Sequence, residues 1–241
     1  MTYPMNLLIC LERNPRNDGH VALSEQLEEI SNLMDVSINV LWKHPMEAVS
    51  EITNVKGVIV PNGPTPSFEG QVVCCKVARE SKIPLLGICG GLQAAAVDIA
   101  RHLASLPEAN SVEYVPTTPV PIVYEDGQLC VRTPQVIRLI SGRFLADLYG
   151  SEKIEGIVRC GRFVNREYWP RLEQAGLELL ATSVDRERIL GFKLVNHPFY
   201  LGVAFLPQLN FAVRKPEPLL ARFLHEVLVE QGRCETSLKA S

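Results

Sequence analysis

The chain has 241 residues, 46% of them hydrophobic and 21% charged, with a formal net charge of −3. This is the composition of a soluble globular protein with one large core, and its charge excludes the basic footprint of a nucleic-acid or anionic-membrane binder. No basic segment followed by an apolar core opens the chain, and its apolar runs are strand-sized, so neither a signal peptide nor a membrane span is expected.

In chain order, the apolar run Asn6–Leu11 predicts a central strand. A helix follows over Val21–Met34, with Leu23, Leu27, Ile30 and Met34 on one face. Val36–Trp42 reads as a second strand, Met46–Ile52 as a short helix and Gly57–Val60 as a third strand. Phe68–Ser81 is helical, Pro84–Ile88 a strand, and Gly91–Leu106 helical again. Repeated βα units of this length imply an α/β fold in three layers, a mainly parallel sheet with helices on both faces.

The second half changes character. Proline-rich Val115–Val123 reads as an extended excursion. Shorter strands follow at Gly156–Phe163, Leu177–Thr182, Ile189–Leu194 and Tyr200–Phe205, expected as an antiparallel C-terminal extension. A last helix, Pro218–Glu230, carries Leu220, Phe223, Leu224, Val227 and Leu228 on one stripe. Residues 1–231 are read as one domain and 232–241 as a disordered tail, with no internal repeat.

The most informative stretch is Ile83-Pro84-Leu85-Leu86-Gly87-Ile88-Cys89-Gly90-Gly91-Leu92-Gln93. A buried strand ends at a cysteine flanked by glycines, and a helix begins at once. This is how a chain writes a sharp turn that lifts a nucleophile above a parallel sheet. Gly87 and Gly90 are expected to remove side chains where the backbone crowds. The Gly90 N–H and the helix N-terminus would face an oxyanion forming near Cys89. The seven cysteines are odd in number and irregularly spaced. That is reduced usage and a cytoplasmic location, with no disulfide framework. No pair has CxxC spacing, so neither a metal nor a cofactor is expected.

Several segments together resemble the class I glutamine amidotransferases, in particular the C-terminal glutaminase domain of CTP synthase. They are Gly57-Val58-Ile59-Val60-Pro61-Asn62-Gly63, the run from Ala78 to Cys89, Gln93 just past the elbow, Asn196-His197-Pro198-Phe199, and Lys215-Pro216-Glu217-Pro218-Leu219. The resemblance implies a flavodoxin-like three-layer fold, Cys89 as nucleophile, Gly63 and Gly90 as the oxyanion hole, and a small amide or amino-acid ligand. The synthase half has no counterpart, which implies a stand-alone module with a synthase-type partner protein. The chain departs from the family where chemistry is decided. The family's Phe-His-Pro-Glu is Phe205-Leu206-Pro207-Gln208 here, and its Gly-Gly-Phe-Gly loop is Asn62-Gly63-Pro64-Thr65. Leucine cannot take a proton from a thiol, Gln208 cannot orient an imidazolium by charge, and Pro64 removes a backbone donor. The chain is also similar to a bacterial group of stand-alone relatives with a Cys-Gly-Gly elbow, no triad histidine and a second cysteine in the strand matching Val158-Arg159-Cys160-Gly161.

Each candidate has two readings. Cys89 is a reactive thiol activated by a helix N-terminus, or an inherited residue kept by a tight turn. His197 is a substitute base, or a loop residue before the last strand. Glu12 is a carboxylate tuning the thiol, or a solvated loop residue. Cys160 is a redox partner of Cys89, or a small buried hydrophobe. Arg159 and Arg162 bind an anionic substrate or flank a strand. His102 reads as a surface residue, and His20, His44 and His225 have no motif context. Three functions remain open: a degenerate amidotransferase with lost or altered thiol chemistry, a non-catalytic module binding a metabolite or partner, and a true amidotransferase subunit with a base from elsewhere.

Overall fold

The computed structural model describes residues 4–127, 133–209 and 216–229. The expected tail lies outside them. Strands β1 (Met5–Ile9), β2 (Ile38–Trp42), β3 (Gly57–Val60) and β4 (Leu85–Ile88) run parallel in the order β2-β1-β3-β4. Leu7, Leu8, Ile9, Val58, Ile59, Val60, Leu85, Leu86 and Ile88 are all fully buried. Strands β3 and β4 are covered on both faces, which is why they read as unbroken apolar runs, whereas β2 at the sheet edge is only half-buried.

Helices α1 (Asp18–Leu33), α2 (Pro45–Glu51), α3 (Phe68–Glu80) and α4 (Gly90–His102) connect them. Helix α1 starts three residues before its expected position. The Asn17 side chain accepts the Gly19 N–H at 2.9 Å, and this polar first turn carries no hydrophobic period. Helix α4 ends before Leu106 because Ser105 has φ 56°. The buried residues Ala104 and Leu106 continue the apolar pattern past the helix itself. Helix α7 (Pro218–Val229) covers the face opposite α4. A Cβ on Gly57 would meet Val227 at 2.6 Å, whereas one on Gly91 would meet Val60.

The second half holds β5 (Ala109–Ser111), β6 (Val120–Glu125), β7 (Gln135–Leu139), α5 (Phe144–Tyr149), β8 (Lys153–Gly156), β9 (Arg162–Val164), α6 (Trp169–Gln174), β10 (Leu177–Ser183), β11 (Ile189–Leu194) and β12 (Tyr200–Val203). Three expectations are corrected. The strand over Gly156–Phe163 is two strands, β8 and β9, joined by a loop. Ile157 and Val158 are apolar because that loop is buried, and Ile157 spends its carbonyl on the Leu206 N–H at 2.9 Å. The proline-rich excursion ends in a paired strand, β6, against β5 and β9. Strand β12 is antiparallel only towards β11. It lies parallel to β4 in the register Gly202↔Gly87 and Val203↔Ile88 and so completes the parallel half of the sheet.

Buried Glu217 begins α7. Its Oε2 accepts the Leu220 N–H at 2.8 Å and its Oε1 the Tyr149 hydroxyl at 2.5 Å. Burial pushes its pKa from 4.5 up to about 7. Burial also pushes His197 down from 6.5 to about 4. From pH 4.5 to about 7 the folded protein holds a proton on Glu217 that the unfolded chain has lost, so the Glu217 contribution falls as pH rises. His197 acts with the opposite sign, its contribution being lost as pH falls from 6.5 to about 4. The Glu217→Gln variant removes the first term alone. Its stability relative to the parent is expected to grow by about 3 kcal/mol between about pH 5 and about pH 8. Urea unfolding at each pH checks this, and a constant difference would mean that Glu217 titrates as an ordinary carboxylate.

Candidate functional site

Cys89 links β4 to α4 in a single residue with φ 56° and ψ −102°. For a non-glycine residue that conformation costs on the order of 1–3 kcal/mol and persists only where the surroundings impose it. Here the surroundings are backbone. The Cys89 N–H donates to the Val203 carbonyl at 2.7 Å. A Cβ on Gly87 would sit 2.5 Å from the Gly91 carbonyl oxygen, and one on Gly91 would sit 1.9 Å from that of Val60. Gly91, not Gly90, is therefore the second crowded position. A Cβ on Gly90 meets nothing closer than the carbonyl oxygens of Gly63 at 3.7 Å and Pro61 at 3.9 Å.

The loop between β8 and β9 brings Cys160 to the elbow, where the two thiols hydrogen-bond. Both are half-buried and neither is in a disulfide. Gln93, four residues after Cys89 and hence on the same side of α4, points its Nε2 at Cys160 Sγ at 3.4 Å. Its Oε1 accepts from Ser111 Oγ at 3.2 Å, which fixes the amide with its N–H towards sulfur. As a thiol, Cys160 donates to the Arg162 carbonyl at 3.1 Å. The Cys89 hydrogen bond holds the Cys160 thiol below its ordinary pKa against the opposing effect of burial, with help from the Arg162 backbone and Gln93. Tyr114 senses the charge of both sulfurs. Burial first, then Glu113, pushes its phenol up to about 12, so it stays protonated. Arg162 is shared between Glu113 and Glu125, each at 3.5 Å, and Arg159 reaches Asp18 at 2.6 Å.

The Asn62–Gly63 loop meets the elbow from β3, with Gly63 at φ 125°. Its geometry depends on His20, which the sequence reading left without a role. His20 Nδ1 accepts the Asn14 N–H at 3.0 Å, so Nε2 carries the proton and donates to the Asn62 carbonyl at 2.7 Å. Burial lowers its pKa and keeps it neutral. The signal that could have found it is position: Gly19-His20 opens the helix after β1, at the C-terminal sheet edge where open α/β sheets place their sites.

Gln208 belongs to this loop network. Its Nε2 donates to Asn62 Oδ1 at 2.9 Å and to the Gly19 carbonyl at 3.3 Å, while its Oε1 is buried with no hydrogen-bond partner among the described residues. Leu206 is fully buried. His197 lies at the other end of β12, before Tyr200, with its Nδ1 accepting the Phe199 N–H at 3.2 Å. It is remote from an elbow that meets the strand at Val203. Glu12 is exposed in the loop after β1. His102 is more than a surface residue, since its Nδ1 lies 2.9 Å from the buried Asp98 carboxylate. No group of three or more metal-ligating side chains occurs among the described residues. No helix among them is long and apolar enough to cross a membrane.

The model of the class-I glutamine amidotransferase family matches residues 18–226, and the chain belongs to that family. It is 30% identical over 242 residues to a CTP synthase of Syntrophus aciditrophicus, covering 94% of this chain and 45% of that protein. A CTP synthase of Shouchella clausii is 31% identical over 230 residues, covering 89% of this chain and 43% of that one. The chain thus spans less than half the length of these relatives. Among solved structures, the glutaminase domain of Trypanosoma brucei CTPS with bound acivicin superposes with a TM-score of 0.83 at 19% identity, covering 99% of this chain and 98% of that one. The shared fold is the mixed sheet with flanking helices described above.

Two outcomes follow from the geometry. Gly91→Ala must displace the Val60 carbonyl and is expected to cost about 3 kcal/mol or more, measured by chemical unfolding. Gln93→Leu removes a donor from Cys160. The pH midpoint of Cys160 alkylation, followed by peptide mapping, should move upward, and an unmoved midpoint would show that the amide does not stabilise the thiolate.

Proposed function

We propose that the chain is a degenerate amidotransferase module, one that keeps the elbow thiol and lacks the base that glutamine hydrolysis requires. The observation carrying this reading is made at the elbow itself, where a second thiol, Cys160, hydrogen-bonds Cys89. In the family's mechanism a histidine takes the thiol proton and returns it to departing ammonia. Leu206 offers no such group. His20 stands at the same end of the sheet, but both its ring nitrogens are engaged and it remains neutral, so it positions the loop. The oxyanion side is also unfavourable. Pro64 has no N–H, and the Gly63 and Pro61 carbonyl oxygens, both acceptors, are the atoms nearest a Cβ position on Gly90. The ligand of such a module would be a small amide or amino acid. A synthase-type partner protein fits relatives roughly twice its length, and thiols outside disulfides fit a cytoplasmic location.

Ammonia release from glutamine, alone and with a CTP synthase-type partner, tests the reading. Turnover is expected well below ~1 per second, the low end of the ordinary range. Turnover above that value would overturn it. Rebuilding the triad is expected to proceed unevenly. Gln208→Glu replaces a donor to two oxygens with a buried carboxylate and should cost about 1–3 kcal/mol. Leu206→His, alone and in a folded protein, should speed iodoacetamide alkylation of Cys89 if position 206 faces the elbow as in the family.

A further inference from the structure

We propose that Cys89 and Cys160 form a reversible dithiol–disulfide couple that reduces hydroperoxides. The inference deepens the reading above at the same pair of thiols and rests on it for the absence of amide chemistry there.

The two sulfurs come from elements far apart in sequence, the β4–α4 elbow and the β8–β9 loop, and hydrogen-bond each other. Both are half-buried, so a small molecule can reach them while bulk water is partly excluded. The remaining described cysteines, Cys10, Cys74 and Cys75, are fully buried. Burial holds Cys75 well above its ordinary pKa, and a hydrogen bond that the Cys10 thiol donates to Cys74, together with burial, does the same for Cys10. Such thiols are inert, whereas a thiolate held by N–H donors is a nucleophile. Cys160 has such a donor in the Gln93 amide at 3.4 Å, and the Cys89 thiol hydrogen-bonds it as well. The Gln93 amide is itself locked by Ser111, whose Oγ also accepts the Glu113 N–H at 3.3 Å. This is a built environment for a sulfur anion, reaching through three elements of the fold.

The choice of hydroperoxide follows from access and from proton supply. A mixed disulfide would need room for a bulky group beside a half-buried sulfur, whereas a hydroperoxide presents two small oxygens. The phenol of Tyr114 lies within electrostatic range of both sulfurs and stays protonated, which makes it the proton source we assign to the departing oxygen.

The Cys160 thiolate attacks the terminal oxygen of ROOH. An S–O bond forms, the O–O bond breaks, and RO⁻ leaves as ROH after taking a proton. Cys160 is then a sulfenic acid. The Cys89 sulfur attacks that sulfur, the S–S bond forms, the S–O bond breaks, and hydroxide leaves as water with the Cys89 proton. The two thiols have lost two electrons and two protons, and ROOH has become ROH and water. A dithiol reductant resets the couple by two thiol–disulfide exchanges.

The test treats the reduced full-length protein with one equivalent of tert-butyl hydroperoxide and maps its peptides without reduction. Expected are a Cys89–Cys160 disulfide, reversal by dithiothreitol, and peroxide consumption faster than by free cysteine at neutral pH, the direction set by a lowered Cys160 thiol. In Cys89→Ser, dimedone should trap a sulfenic acid on Cys160. In Cys160→Ser, the fast phase should vanish, and circular dichroism with a second variant, Cys160→Ala, separates chemistry from folding. The proposal is overturned if folded variants consume peroxide like the parent, if another cysteine pair forms, or if oxidised glutathione forms the disulfide and the hydroperoxide does not. Ammonia release from glutamine alongside the disulfide would overturn the degenerate reading and leave this one standing. Neither ammonia nor disulfide would do the reverse.

Discussion

The close approach of α4 to the sheet governs the rest of the site. At Gly91 the helix backbone comes so near β3 that a methyl would lie 1.9 Å from the Val60 carbonyl oxygen. Gly87 below the helix and Gly202 on the neighbouring strand are bare on the same face, so the first turn of α4 rests on backbone. A chain leaving β4 must then reverse within one residue, and Cys89 takes the positive φ that this demands. The strain is therefore a consequence of packing, borne where the side chain is needed. Gln93 follows from the same contact, because the helix phase that seats Gly91 on Val60 also turns residue 93 towards Cys160.

Helix α4 is held in that phase from its far side as well. Asp98 is fully buried and accepts from Arg79 at 2.8 and 3.0 Å and from the Tyr200 hydroxyl at 2.8 Å, with His102 at 2.9 Å. Buried ion pairs contribute little net stability compared with a well-packed apolar alternative, yet breaking one costs about 3–5 kcal/mol. A network of this kind acts mainly by specifying one arrangement. It joins α3, α4 and β12, and β12 is the strand whose other end receives the Cys89 N–H. The same strand thus fixes α4 at both ends, which leaves the elbow little freedom to relax.

The elements that position Cys89 were legible in the sequence because each is written by local chemistry. Strands buried on both faces read as apolar runs, and the elbow reads as a cysteine among glycines. Gly57–Val60 and Ile189–Leu194 were placed without error for the first reason. The surroundings of Cys89 were less legible, because they are assembled from distant segments. Ile157 and Val158 look like part of a strand, and only the tertiary fold makes them a buried loop that carries Cys160 to the elbow. His20 carries no motif and acquires its role from Asn62, forty-two residues away. Gly90 was assigned the crowding that belongs to Gly91, since the two are indistinguishable until the helix phase is known.

The neutral groups around the elbow bear on the chemistry proposed for it. Gln208, Asn62 and a neutral His20 form an uncharged network, and the guanidinium of Arg162 is divided between two carboxylates. The Cys160 thiol is favoured as an anion by the Cys89 hydrogen bond and by the Gln93 N–H. Amide hydrolysis would suffer most in such surroundings, because ammonia is a poor leaving group unless it is protonated as it departs. Chemistry at a weaker bond demands less. When the bond that breaks joins two oxygens or two sulfurs, the departing atom already carries negative charge well, and a single weak acid such as a phenol suffices. On the function proposed above, a leucine at the position of the family's base and a second thiol at the elbow belong together, because what such a site gives up for carbon chemistry it offers to sulfur and oxygen.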